Sequence, residues 1–176
     1  AVQLAKYLGA AKVIATGRNE AELQILLSVG ADVVIPFTLG MLHPRGADEY
    51  EQALHPQVEK GVDVVLDYLG GESTKTVIIA IAKAVEDATP VRFVHVGGAS
   101  GEETIDLPGA ALRSSAIQLM GSGVKSVTLP KLLEGISKVF EAVAPAKLRI
   151  ATKVLPLSEI EEAWKAPNKP RVVITV

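Results

Sequence analysis

No cysteine occurs among the 176 residues. A disulfide framework, a thiolate nucleophile and a cysteine-based zinc site are thereby excluded, and the composition suits a cytoplasmic protein. Histidine is scarce as well: His43, His55 and His95 are too dispersed for a local ligand pair such as HExxH, so no metal is expected. No run of five like charges occurs, and 18 Lys and Arg against 20 Asp and Glu give a net charge of -2, so nucleic acid is not an expected partner. Nor is a membrane, because the stretch Val77 to Val85 is broken by Lys83 and falls short of the roughly 20 apolar residues a span requires. The chain opens on Ala1, and residues 1 to 10 read as an amphipathic helix rather than a signal peptide, so upstream residues are expected in the native protein.

What is present is an ordinary globular mixture, 48% apolar and 22% charged, enough for one domain with a full core. Ala1, Leu4, Ala5 and Leu8 share a helical face that Gly9 closes. Lys12 to Thr16 is a short strand, and Gly17, Arg18 and Asn19 turn the chain into a helix carrying Leu23, Leu26 and Leu27, with Asn19 as cap and Glu22 in the capping-box position. Asp32 to Phe37 reads as the next strand, and residues 38 to 60 hold one weak helical stretch, Ala47 to Leu54. Val62 to Leu66 has the near-continuous apolar character of a strand buried on both faces. Ser73 is expected to open a helix with Val77, Ile81, Ala84 and Val85 on one face, followed by strands at Val91 to Val96 and Ile117 to Met120. Leu132, Leu133, Ile136, Val139, Phe140 and Val143 predict a packed helix starting near Pro130. The end predicts a strand at Arg149 to Leu155, a helix opened by Ser158 with Glu161, and a strand at Arg171 to Val176.

Strands alternating with helices imply right-handed crossovers and a parallel α/β sheet that binds ligands at the carboxyl ends of its strands. The runs AVQLAKYLGAAKVIATGRN, LLSVGADVVI, GVDVVLDYLGG, FVHVGG, LMGSG, LPLSEIEEAW and RVVITV, in this order, resemble the cofactor domain of the medium-chain dehydrogenases/reductases, specifically the zinc-independent quinone oxidoreductase and enoyl reductase branch. The resemblance covers nearly the whole chain. It implies a Rossmann-like doubly wound sheet over residues 1–148 and a segment, 149–176, that would pack on a catalytic domain. It also implies a strand and a glycine-rich loop ahead of Ala1, the loop holding the cofactor pyrophosphate. In the order 3-2-1-4-5-6 that strand lies between the strands at 12–16 and 62–66, whose inner edges would otherwise be orphaned at about 1–3 kcal/mol per buried group. Filling of that position by Val172 to Val176 or by a partner chain is the alternative. Related reductases commonly pair through the edge strand near 117–120, which makes a homodimer one expectation.

NAD enzymes usually end the second strand in an acid that accepts from the ribose 2'-hydroxyl. Here Gly17 stands there, followed by Arg18, whose fork of donors suits a 2'-phosphate, while Thr16 and Asn19 add neutral hydrogen bonds. NADP (NADPH) is therefore the expected cofactor, although a solvated arginine beside a helix cap explains the same residues. By resemblance, Tyr68, Leu69, Gly70 and Gly71 with Gly97, Gly98, Ala99 and Ser100 line the nicotinamide half, mainly through backbone atoms; otherwise they are turns. Gly121 and Ser122 are weaker candidates. Asp67 is expected to cap the loop after its strand, His95 to be a satisfied core or edge histidine, and Phe140 and Trp164 to pack. Lys6, Lys60 and Lys153 show no partner pattern. Tyr7, Tyr50 and Tyr68 are followed four residues on by Ala11, Leu54 and Glu72, so no YxxxK pair suggests a short-chain dehydrogenase. The resemblance implies hydride transfer to a quinone or an α,β-unsaturated carbonyl substrate, with no catalytic residue assigned in this chain. The rival reading is a non-catalytic remnant or assembly module that no longer binds cofactor; a methyltransferase is disfavoured by the missing acid at Gly17.

Overall fold

The computed structural model of the chain describes residues 1–167 and 170–176. The first apolar stripe makes α1 (Val2–Tyr7), and the branched run after it makes β1 (Ile14–Gly17). Lys6 and Asp32 join the start of the fold, with Lys6 Nζ 2.7 Å from Asp32 Oδ2 and the Val13 N–H donating to the same oxygen at 2.6 Å. α2 (Glu20–Ser28) begins as the sequence predicts, the Asn19 side-chain oxygen accepting from the Glu22 N–H at 3.1 Å. β2 (Val33–Pro36) runs parallel to β1, Gly17 facing Pro36. Then come α3 (Gly46–Val58), β3 (Val64–Asp67), α4 (Gly71–Ala84), β4 (Pro90–His95), a short α5 (Gly109–Arg113), β5 (Ala116–Gly121) and α6 (Leu129–Val143). β6 (Thr152–Pro156), α7 (Ile160–Lys165) and β7 (Arg171–Thr175) end the chain.

β1 and β2 form one parallel pair, and β3, β4 and β5 form a parallel sheet in that order. Each has the order of one half of the doubly wound sheet expected from the sequence. No described strand takes the position between them. β1 and β3 do not pair with each other, and β7 pairs with β6 rather than with either. β5 occupies the outer edge of its sheet. Arg149, which opens the final segment, is tied to α1 by two hydrogen bonds with the Gln3 side chain, at 2.8 and 2.9 Å.

The core lies where α3 and α4 meet the strands. Ile35, Phe37, Tyr50, Leu54 and Ala80 form one buried cluster, in which the Phe37 and Tyr50 rings stack with centroids 4.3 Å apart. Ile78, Ile81, Val91 and Phe93 form another between α4 and β4, each worth about 1.5–3 kcal/mol on burial. This packing corrects the expected boundaries. The helix expected over Ala47 to Leu54 continues to Val58, because Tyr50, Leu54 and Val58 recur every four residues on a buried face that offsets the hydrogen bond lost at Pro56. α4 starts at Gly71 with Gly70 as its cap, and Ser73 is buried inside the first turn instead of capping it. Ser158 lies in a 3-10 turn, Leu157–Glu159, and makes no cap bond to α7.

Other corrections concern burial. β3 is covered on the Val65 and Asp67 side only; Val64 and Leu66, on the opposite face, remain 42% and 46% exposed. The α6 stripe has the expected period, yet its residues, Phe140 among them, are exposed, the buried residue of the helix being Ala142 off the stripe, and Trp164 is exposed rather than packed as well. Periodicity marks a face as apolar without saying what lies against it.

Candidate functional site

All three sets of nominated residues stand at carboxyl ends of parallel strands. Thr16 and Gly17 finish β1, and Arg18 and Asn19 make the turn into α2. Arg18 is exposed and, among the described residues, bears no ion pair. A Cβ on Gly17 would stand 3.2 Å from Leu23 Cδ2, so the helix packs close behind a strand end that carries no side chain. Thr16 is half-buried, and its hydroxyl accepts from the Tyr50 hydroxyl at 2.9 Å.

Tyr68, Leu69 and Gly70 follow β3, while Gly97, Gly98 and Ala99 follow β4. The structure brings these two sets together. Val96 and Gly97 N–H groups donate to the Asp67 carbonyl at 2.7 and 3.3 Å, Ala99 to Tyr68 at 2.9 Å, and Ser100 to Leu69 at 3.0 Å. Gly70 adopts φ 78° and ψ -170°, backbone that glycine alone enters readily, and its Cβ position lies 3.5 Å from Gly98 Cα. Gly121 ends β5, and the Ser122 N–H donates to the His95 carbonyl at 2.8 Å, so these weaker candidates border the same seam.

Asp67 holds the seam from below. It is 7% exposed, and its Oδ1 accepts from the N–H groups of Leu69 at 3.1 Å and Gly70 at 3.3 Å, which is the loop-capping role its position predicts. Its Oδ2 accepts from the Thr74 hydroxyl at 2.6 Å and lies 2.7 Å from His95 Nδ1. His95 faces Asp67 across the β3–β4 ladder, which places both side chains on the α4 side.

The turn at Thr16–Asn19 remains apart from this seam, since β1 shares no ladder with β3. Tyr50 is the bridge that sequence reasoning misses: α3 carries it beneath the strands, and its hydroxyl reaches β1. Burial raises its ionisation above the ordinary value of 10.0, opposed by hydrogen bonds with Thr16 and Ser73 and reinforced by the charge of Asp67. Glu102 is also missed; its carboxylate accepts from the Glu72 N–H at 3.2 Å and fills the space a Cβ on Gly71 would need. It belongs to a cavity of about 410 Å³ lined also by Asp48, Glu51, Gly71, Glu72, Lys75 and Asp106. Lys6 and Lys153 do have partners, Asp32 and Glu162, each at 2.7 Å. Among the described residues, no group of three or more metal-ligating side chains converges, and no helix is long and apolar enough to cross a membrane.

Comparison with known proteins identifies the family. Residues 1–138 match the family model described as zinc-binding dehydrogenase. A probable NADPH-dependent quinone reductase of Emericella nidulans, tdiC, is 29% identical over 99% of this chain and 49% of its own length. A mycobacterial quinone oxidoreductase structure superposes with a TM-score of 0.71 at 18% identity, over 93% of this chain and 47% of that one. An NAD-dependent alcohol dehydrogenase structure gives 0.60 at 26% identity, over 99% of this chain and 46% of that one. The chain thus spans about half the length of the relatives it matches. By the family match over most of its length and by its sheet order, the chain belongs to the zinc-binding dehydrogenase family and has the cofactor-binding fold of the medium-chain dehydrogenases/reductases.

Proposed function

We propose that this chain binds NADP(H) at its strand ends and serves a reductase that delivers hydride to a quinone or an α,β-unsaturated carbonyl compound. The observation that carries the reading is the end of β1, where a side-chain-free Gly17 is followed by an exposed Arg18 that bears no ion pair among the described residues. A carboxylate at Gly17 would accept from a ribose 2'-hydroxyl and repel a 2'-phosphate; Arg18 offers that phosphate a planar pair of donors. The second seam fits a flat, uncharged ring system. Gly70, Gly97 and Gly98 let a ligand approach the backbone, and Asp67 holds both loops from beneath without presenting its charge. The bound nicotinamide would supply the hydride; the residues here bind and orient it. Nothing in the reading calls for zinc in this chain, which has no cysteine. The quinone acceptor is drawn from the named activity of tdiC, at 29% identity.

Titration of the purified chain with NADPH and NADH, followed by cofactor fluorescence, tests the reading. NADPH binds more tightly, and Arg18→Ala weakens it by roughly ten- to a hundredfold, the worth of a charge-assisted hydrogen bond, with NADH unchanged. Tighter binding of NADH overturns the NADP assignment. Binding of neither favours the remnant or assembly reading.

A further inference from the structure

We infer that His95 is a cofactor-contact residue, its outer ring nitrogen accepting a hydrogen bond from the nicotinamide half of the dinucleotide, through the carboxamide amine or a ribose hydroxyl. The inference rests on the proposal that the loops after β3 and β4 line that half.

The argument begins with Asp67. An ionised carboxylate only accepts, so the nitrogen 2.7 Å from Asp67 Oδ2, Nδ1 of His95, carries the proton, and whenever the ring is neutral its lone pair lies on Nε2. Among the described residues that nitrogen has no hydrogen-bond partner. No buried side-chain nitrogen or oxygen is left without a partner among the described residues, so Nε2 reaches solvent, in keeping with a side chain 35% exposed. The neighbouring ring atom, Cε1, stands 3.5 Å from the Cβ position of Gly70, and the free edge of the ring therefore opens where the Gly70 turn meets Gly97 and Gly98.

Holding the loops does not need a histidine. Four backbone hydrogen bonds already join them, and Asp67 keeps three other donors, from Leu69, Gly70 and Thr74. What the imidazole adds is a second ring nitrogen, fixed in direction by the first, beside the glycine backbone of the seam.

Two variants separate contact from support. His95→Asn keeps an amide nitrogen near the Nδ1 position for Asp67 but has nothing in place of Nε2; His95→Phe loses both. Calorimetric titration uses NADPH and a nicotinamide-free probe, 2'-phospho-ADP-ribose, with thermal unfolding of the free proteins alongside. His95→Asn is expected to weaken NADPH about fivefold, the worth of one neutral hydrogen bond, and to leave the probe's affinity and the melting temperature unchanged. His95→Phe weakens NADPH at least as much. Unchanged NADPH affinity in His95→Asn, or equal losses for NADPH and the probe, overturns the inference while leaving the cofactor proposal standing. An unmodified chain that binds neither ligand overturns the cofactor proposal, and the role of His95 falls with it.

Discussion

Replacing Gly70 with alanine tests whether the seam depends on backbone conformation or on space. Its φ of 78° and ψ of -170° lie where residues with a Cβ are strained by about 1–3 kcal/mol. Space is not the obstacle: the added methyl would lie 3.5 Å from Gly98 Cα and His95 Cε1 and 3.7 Å from the Gly97 carbonyl oxygen, ordinary contact distances. The chain either keeps the strain or rotates the peptide and pulls the Gly70 N–H away from Asp67 Oδ1, to which it donates at 3.3 Å. Both routes destabilise. For a domain of this size, 2 kcal/mol lowers the melting temperature by roughly 4–8 °C. Thermal unfolding of Gly70→Ala beside Gly121→Ala measures it, since a Cβ on Gly121 meets nothing within 4 Å and that variant should stay within about 0.5 kcal/mol of the parent. Equal melting temperatures for the two variants would refute the conformational account.

Other substitutions probe different terms. Gly46→Ala fails for a steric reason, because its Cβ would overlap the Thr38 carbonyl oxygen; a loss of about 1–3 kcal/mol in urea denaturation is expected, and full stability would show that the α3 start can shift freely. Tyr50→Phe keeps the stack on Phe37 but loses the bond to Thr16, costing about 1 kcal/mol at neutral pH. Because burial raises the Tyr50 ionisation in the fold, the unfolded chain ionises first as pH climbs past 10.0, so the parent's stability is present below that value and declines above it. Denaturation between pH 9 and 11, measured with both proteins, should show a shallower decline in Tyr50→Phe. Asp32 has the opposite sign: its hydrogen bond with the Lys6 side chain, and next that with the Val13 N–H, hold its carboxyl below 3.8, so its contribution is present above that value and lost as pH falls through the folded one. Asp32→Asn should flatten the acid limb of the stability profile; an unchanged limb would place the loss elsewhere.

Elements were legible where two local signals coincide. α2 has an apolar stripe and a capping asparagine, and the structure starts it at that cap. β1, β2 and β4 are branched runs closed by turn residues, and they emerge within a residue or two of expectation. Gly30 and Gly17 delimit α2 for the same reason. α3 was only half legible, since Pro56 is a strong local stop signal and the burial that overrides it comes from residues outside the segment, Phe37 and Ala80 among them. Burial was the least legible quantity. Val64, Leu66 and the α6 stripe are apolar in sequence and open to solvent here, because coverage of a face depends on what else the sheet carries.

Site legibility follows the same division. Alternating strands and helices fix which strand ends point the same way, so Gly17, Gly70 and Gly97 could be placed before any coordinates. What joins those ends could not, because the joining side chains come from distant parts of the chain. Tyr50 is the clearest case. It sits in the stretch with the weakest local signals, yet it packs between Phe37 and Ala80 and sends its hydroxyl 34 residues back to Thr16. β1, which carries Gly17 and Arg18, shares no backbone ladder with β3, which carries Asp67. Among the described residues, Tyr50 ties the end of β1 to the core packed against α3 and α4.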